Sequence, residues 1–128
     1  MPEKIAYVGS VTVVDGPRAA FNRSINIDGY DKFNFTVTTG GPKVVLNVGA
    51  DSSTVFLLVI HSTQYSGVSP NTLTFQVDAK PALPLNEPLI VAGAGVLGSL
   101  GTFKTLTFEN KVGADVTVEV FIARDPIP

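Results

Sequence analysis

Apolar and polar residues take turns along much of this chain. Phe33, Phe35 and Val37 alternate with Asn34, Thr36 and Thr38, and Leu73, Phe75 and Val77 alternate with Thr72, Thr74 and Gln76. Leu106 and Phe108 alternate with Thr105 and Thr107, while Val116, Val118, Val120 and Ile122 share one side opposite Thr117 and Glu119. Successive side chains of an extended strand point to opposite faces, so a period of two marks a strand with one face in a core and one in water. Phe121 falls on the polar side of the last of these strands and breaks its pattern. Val44, Leu46 and Val48 predict a further short strand. The run Val55-Phe56-Leu57-Leu58-Val59-Ile60 is apolar at every position, as a central strand covered on both faces would be, and is predicted to sit deepest.

Between these runs stand clusters of turn formers: Thr39-Gly40-Gly41-Pro42, Gly49-Ala50-Asp51-Ser52-Ser53, Ser66-Gly67-Val68-Ser69-Pro70-Asn71 and Asn110-Lys111-Val112-Gly113-Ala114-Asp115. No window combines a 3.6-residue apolar period with capping residues, so no helix is predicted. Short alternating strands with this punctuation predict an all-β fold. The expected architecture is an antiparallel two-sheet β-sandwich of jelly-roll type, with an open barrel as its nearest rival.

Two segments fit this scheme less well. Residues 1–24 include Val11-Thr12-Val13-Val14, and the turn-forming Asp15-Gly16-Pro17-Arg18 separates this piece from Ser24-Ile25-Asn26-Ile27. They read as an N-terminal arm or as edge strands. Residues 79–102 place Pro81, Pro84 and Pro88 before a stretch of Gly, Ala, Leu and Val. A connection that long and apolar is unusual because loops normally face water, so it is expected to be a contact surface.

Composition sharpens that expectation. Charged residues make up 16% of the chain, against roughly 25% in typical soluble domains, and apolar residues reach 45%. No Asp, Glu, Lys or Arg occurs between Asp51 and Asp78, or from Pro88 to Phe103. Such neutral stretches in a small domain predict subunit contacts. The 128 residues suit a single domain, 1–128, able to bury a core without staples. The net charge of -2, spread without blocks, argues against nucleic acid. The absence of cysteine excludes disulfides, thiolate chemistry and cysteine-held metal clusters. The first residues lack the basic region and long apolar run of a secretory signal, and no apolar run is long enough for a membrane helix, so neither secretion nor a membrane role is expected.

Several strings invite a chemical reading. Gly93, Gly95 and Gly98 match the G-x-G-x-x-G of dinucleotide-binding loops, but the glycine and β-forming residues after Gly98 do not continue as the helix that must receive the pyrophosphate. His61 beside Ser62, with Asp51 ten residues earlier, contains the residue types of a hydrolase triad, without spacing that would assemble one. Asp28, Asp31 and Asp51 offer calcium-type oxygens without EF-hand spacing. Tyr65, Asn71 and Asp51 at loop tips would serve a carbohydrate-binding sandwich, the rival function, although tryptophan is absent. No catalytic residue, metal or cofactor is expected.

The segment Ile25-Asn26-Ile27-Asp28-Gly29-Tyr30-Asp31-Lys32-Phe33-Asn34-Phe35-Thr36-Val37, with Val44-Val45-Leu46-Asn47-Val48 after a Gly-Gly turn, resembles the opening of small β-sandwich virion proteins of tailed phages. Leu106 to Val120 is similar to their closing hairpin. The resemblance covers about a third of the chain. It implies a homo-oligomeric capsid decoration (cement) protein, often a trimer, made in the host cytoplasm and located in the virion. Its partners would be further copies of itself and a major capsid or other virion protein. The expected contact residues are Pro17, Arg18 and Phe21 on the arm and Leu89, Ile90, Val91, Val96, Leu97 and Leu100 on the neutral loop, with Arg18 and Arg23 as candidates to meet acidic groups of a partner.

Overall fold

The alternating segments fold into strands of two facing sheets. The computed structural model describes residues 3–12, 14–27, 29–48, 55–93, 97 and 104–124. Among the described residues ten strands run in chain order: β1 (Glu3–Thr12), β2 (Arg18–Ile27), β3 (Gly29–Val37), β4 (Val44–Asn47), β5 (Val55–Ser62), β6 (Leu73–Val77), β7 (Leu83–Pro84), β8 (Leu89–Ala92), β9 (Thr105–Asn110) and β10 (Val116–Arg124). One four-stranded sheet has the order β3-β10-β5-β8, here the first sheet, and the other has the order β4-β9-β6-β7, here the second sheet. All pairings are antiparallel. From β3 onward every connection except β6 to β7 crosses between the sheets. This is the wiring of an eight-stranded jelly roll, so the predicted fold class holds and the open barrel does not.

The core lies where the alternation puts it. Inward residues of β6, Leu73, Phe75 and Val77, and of β9, Leu106 and Phe108, are buried beneath Val116, Val118, Val120 and Ile122 of β10. Phe108 meets Phe35 edge-on with ring centroids 5.3 Å apart. The apolar run becomes β5, an inner strand between β10 and β8, with Leu58 and Ile60 fully buried in the main core and Leu57 on the opposite face.

Polar clasps hold the strand ends. Asn110 is buried at the end of β9; its Nδ2 donates to the carbonyls of Val37 at 2.9 Å and Ala114 at 2.8 Å, and its Oδ1 accepts the Val112 N–H at 2.9 Å. Asp78, with φ of 47°, uses Oδ1 to accept the N–H groups of Lys104 at 2.9 Å and Thr105 at 2.8 Å. Arg124 bonds the Asp31 carboxylate at 2.6 Å and the Val48 carbonyl at 2.8 Å, joining β10, β3 and the end of β4.

The apolar segment after residue 79 differs from expectation. It supplies β7 and β8 as edge strands and contributes Leu85 to the core. Leu97, expected on a contact surface, is 0% exposed and belongs to the main core. The chain turns at Gly93, whose φ of +100° suits glycine, and the Leu97 N–H donates to the Gly93 carbonyl at 3.1 Å. Part of this segment is therefore uncharged because it is interior. Residues 3–27 form longer strands than the short pieces expected: β1 and β2 pair over ten positions, from Glu3↔Ile27 to Thr12↔Arg18, as a separate two-stranded sheet.

Candidate interaction surface

The outward positions of the first sheet form a grid set by strand register. Its middle row runs Lys32, Phe121, Val59, Ile90 across β3, β10, β5 and β8. The row beside it runs Tyr30, Ala123, Leu57, Ala92, and the row on the other side runs Asn34, Glu119, His61. Two adjacent rows are thus apolar except for Lys32. Leu57 and Ala123 are buried there in a second small cluster, with Val59, Ala92 and Phe121 packed around them. Phe121 stacks on Tyr30 with centroids 5.7 Å apart, while Tyr30 is 52% and Ile90 60% exposed.

A charged rim borders this patch. His61 Nε2 lies 3.1 Å from Glu119 Oε1, and Lys32 Nζ lies 3.6 Å from the same oxygen. The His61 hydrogen bond is the main cause that holds the Glu119 carboxyl below its ordinary pKa; desolvation opposes it, and the nearby Lys32 charge adds to the lowering. His61 and the buried Ser62 are neighbours on a strand and point to opposite faces, so this pair cannot act as base and nucleophile. Asp31 is engaged by Arg124, and Asp28 and Asp51 lie outside the described residues.

The second sheet presents a different exterior. Apart from Val45 and Pro84, its outward positions carry Asn47, Thr74, Gln76, Thr105, Thr107 and Glu109. That is the ordinary water-facing side of an antiparallel sheet, and the contrast sets the first sheet apart. Where the sandwich opens between β7 and β8, a cavity of about 150 Å³ is walled by Leu58, Phe75, Leu83, Leu89 and Val91, with Lys80 among its lining residues.

The β1–β2 hairpin is the other apolar feature. Cross-strand pairs share a face, so Gly9↔Phe21 and Val11↔Ala19 fall on one side, and Val8↔Asn22, Ser10↔Ala20 and Thr12↔Arg18 on the other. Phe21 covers Gly9 so closely that an added Cβ would come within 2.5 Å of its ring. Val11 is 70% and Phe21 49% exposed.

The expected contact residues therefore separate. Pro17, Arg18 and Phe21 are exposed on the hairpin and its turn; Ile90 is exposed on the first sheet; Leu89 and Val91 face inward on β8 and are half-buried; Leu97 is interior; and Val96 and Leu100 lie outside the described residues. Gly95 and Gly98 of the glycine string also lie outside them. Tyr65 is half-buried against the core, and its hydroxyl accepts the Ser62 N–H at 3.2 Å, so it braces the end of β5 instead of standing free at a loop tip. Tyr30, Val59 and Phe121 were not singled out as contact residues. The signal for them was the off-phase Phe121, which acquires a meaning only when register sets it beside Val59 and Tyr30. Comparison with protein-family models, with curated proteins and with solved structures gives no match.

Proposed function

We propose that this chain is a homo-oligomeric structural protein of a virion, a capsid decoration protein that stabilises a shell by bridging neighbouring subunits. The observation that carries the reading is the pair of unlike exteriors. One sheet shows water a row of threonines and amides, and the other shows Tyr30, Phe121, Val59 and Ile90 beside a charged rim. An apolar patch bordered by polar residues marks a contact site in a folded protein. Jelly rolls serve both capsids and lectins, so the wiring alone carries little weight and the face carries the argument.

The action is burial of area. At about 25 cal/mol per Å², a contact of standard size supplies a large gross driving force, of which ordering and desolvation consume much. The partners are further copies, in a trimer, and a major capsid protein; the protein is made in the host cytoplasm and resides in the virion. Native mass by light scattering over rising concentration tests the first step, with an oligomer expected. A lone, monodisperse subunit at high concentration would refute it. Co-sedimentation with shells of the capsid protein encoded alongside tests the second step, and a chain left at the top of the gradient would refute the decoration role.

A further inference from the structure

The two apolar features occur once each in every copy, and the covalent chain keeps them apart. A single residue separates Ile27, the end of β2, from Gly29, the start of β3. That link spans about 7 Å at most, whereas stacked sheets lie about 10 Å apart. Its pairing runs as far as Glu3↔Ile27, so the base of the hairpin stays within that reach of its own β3, short of the height needed to lie flat over its own sheet. Among the described residues, β1 and β2 pair only with each other. A two-stranded hairpin alone in water is marginally stable at best, so its ten pairs call for a further layer.

Resting on the assembly reading above, we infer that the β1–β2 hairpin of one copy lies across the outer face of the β3-β10-β5-β8 sheet of a second copy. Dimensions support this occupant. Ten residues at about 3.3 Å each give a hairpin of about 33 Å, similar to the nine-residue β10 at about 30 Å. Two strands at about 4.8 Å spacing fit within the width of four. With side-chain relief counted, such a footprint buries about 1,000 Å² over both partners, near the lower bound for a specific interface, and a ring doubles the burial for each copy. Charge favours the contact weakly: the hairpin strands and their turn hold three cations and two anions, while residues 29–124 hold six and seven.

The contact is heterologous, since hairpin meets sheet and not hairpin meets hairpin. Such contacts close into rings when the rotation permits, and a trimer is one such ring. Each copy then donates one hairpin and accepts one.

Complementation between two variants tests the inference. Val11→Lys with Ala19→Glu removes the hairpin's apolar pair while preserving a favourable cross-strand pair, and Ile90→Lys with Val59→Glu does the same on the sheet. Circular dichroism checks that both variants keep their β content, and sedimentation equilibrium reads mass at a concentration where the unmodified chain is fully assembled. Each variant alone should be a monomer, and an equal mixture should give a dimer, because the intact hairpin of one meets the intact sheet of the other. If the sheet variant alone still assembles, or the mixture stays monomeric, the hairpin-on-sheet contact is overturned while the assembly reading stands. If the unmodified chain is itself monomeric, the assembly reading fails and takes this inference with it.

Discussion

Replacing Asn110 offers a quantitative test of how the sandwich is held. It is only 1% exposed, and its side chain makes three hydrogen bonds. In Asn110→Ala the Val37 carbonyl, at the buried end of β3 and in ladder register with Val116, loses its side-chain donor, a hydrogen bond worth about 0.5–1.5 kcal/mol. The Ala114 carbonyl and Val112 N–H lie in a turn that water reaches, so each loses about 0.5–1 kcal/mol. The sum is about 2–3 kcal/mol, a large share of the roughly 5–15 kcal/mol typical of a domain. Asn110→Asp separates hydrogen bonding from shape. It keeps an acceptor for Val112 but turns a carboxylate toward two carbonyls, which with burial raises its folded pKa above the unfolded value of about 3.9. The folded state then holds a proton that the unfolded state has released, so stability falls as pH rises from the unfolded toward the folded pKa. Urea unfolding followed by circular dichroism should therefore show an Asn110→Asp deficit that shrinks on going from about pH 7 to about pH 4, beside an Asn110→Ala deficit that changes little relative to the parent. An Asn110→Ala protein within about 0.5 kcal/mol of the parent would refute the reasoning.

Other predictions concern separate parts of the molecule. Leu97→Ala should cost about 2–5 kcal/mol by opening a cavity in the core, whereas Ile90→Ala, at a position 60% exposed in a single copy, should cost much less at concentrations too low for assembly; equal losses there would contradict the assignment of one to the interior and the other to the surface. Asp78→Ala should lose about 2 kcal/mol because two backbone N–H groups at the start of β9 lose their acceptor, and Asp78→Asn should recover most of it; indistinguishable midpoints in urea would show that the clasp is not used. Glu119 should titrate below an ordinary glutamate in NMR, and His61→Ala should raise its pKa. With the folded pKa depressed, the associated stabilisation is present above the unfolded pKa and fades as pH falls through the folded one. An unchanged Glu119 titration in the histidine variant would mean that the 3.1 Å contact does not persist in solution.

Strand identity could be read along most of the chain because alternation is local: each strand carries its own in-and-out pattern, and Phe33 to Val37, Leu73 to Val77 and Val116 to Ile122 needed no knowledge of their neighbours. The full length of β1 and β2 was harder to see because Gly9 leaves a gap on the face that carries Val11 and Phe21, and only pairing shows Phe21 lying over Gly9. Burial within neutral stretches could not be sorted locally. Leu97 and Ile90 have the same hydrophobic character, and the turn at Gly93 and the pairing of β8 with β5 send one inward and the other outward. The apolar exterior was equally out of reach, since Tyr30, Phe121, Val59 and Ile90 are widely separated along the chain and become one surface only through the register of four strands. Side-chain direction follows from the covalent geometry of a strand and is written residue by residue. Adjacency between strands depends on how distant segments pack to bury their apolar faces together, and no single segment encodes that.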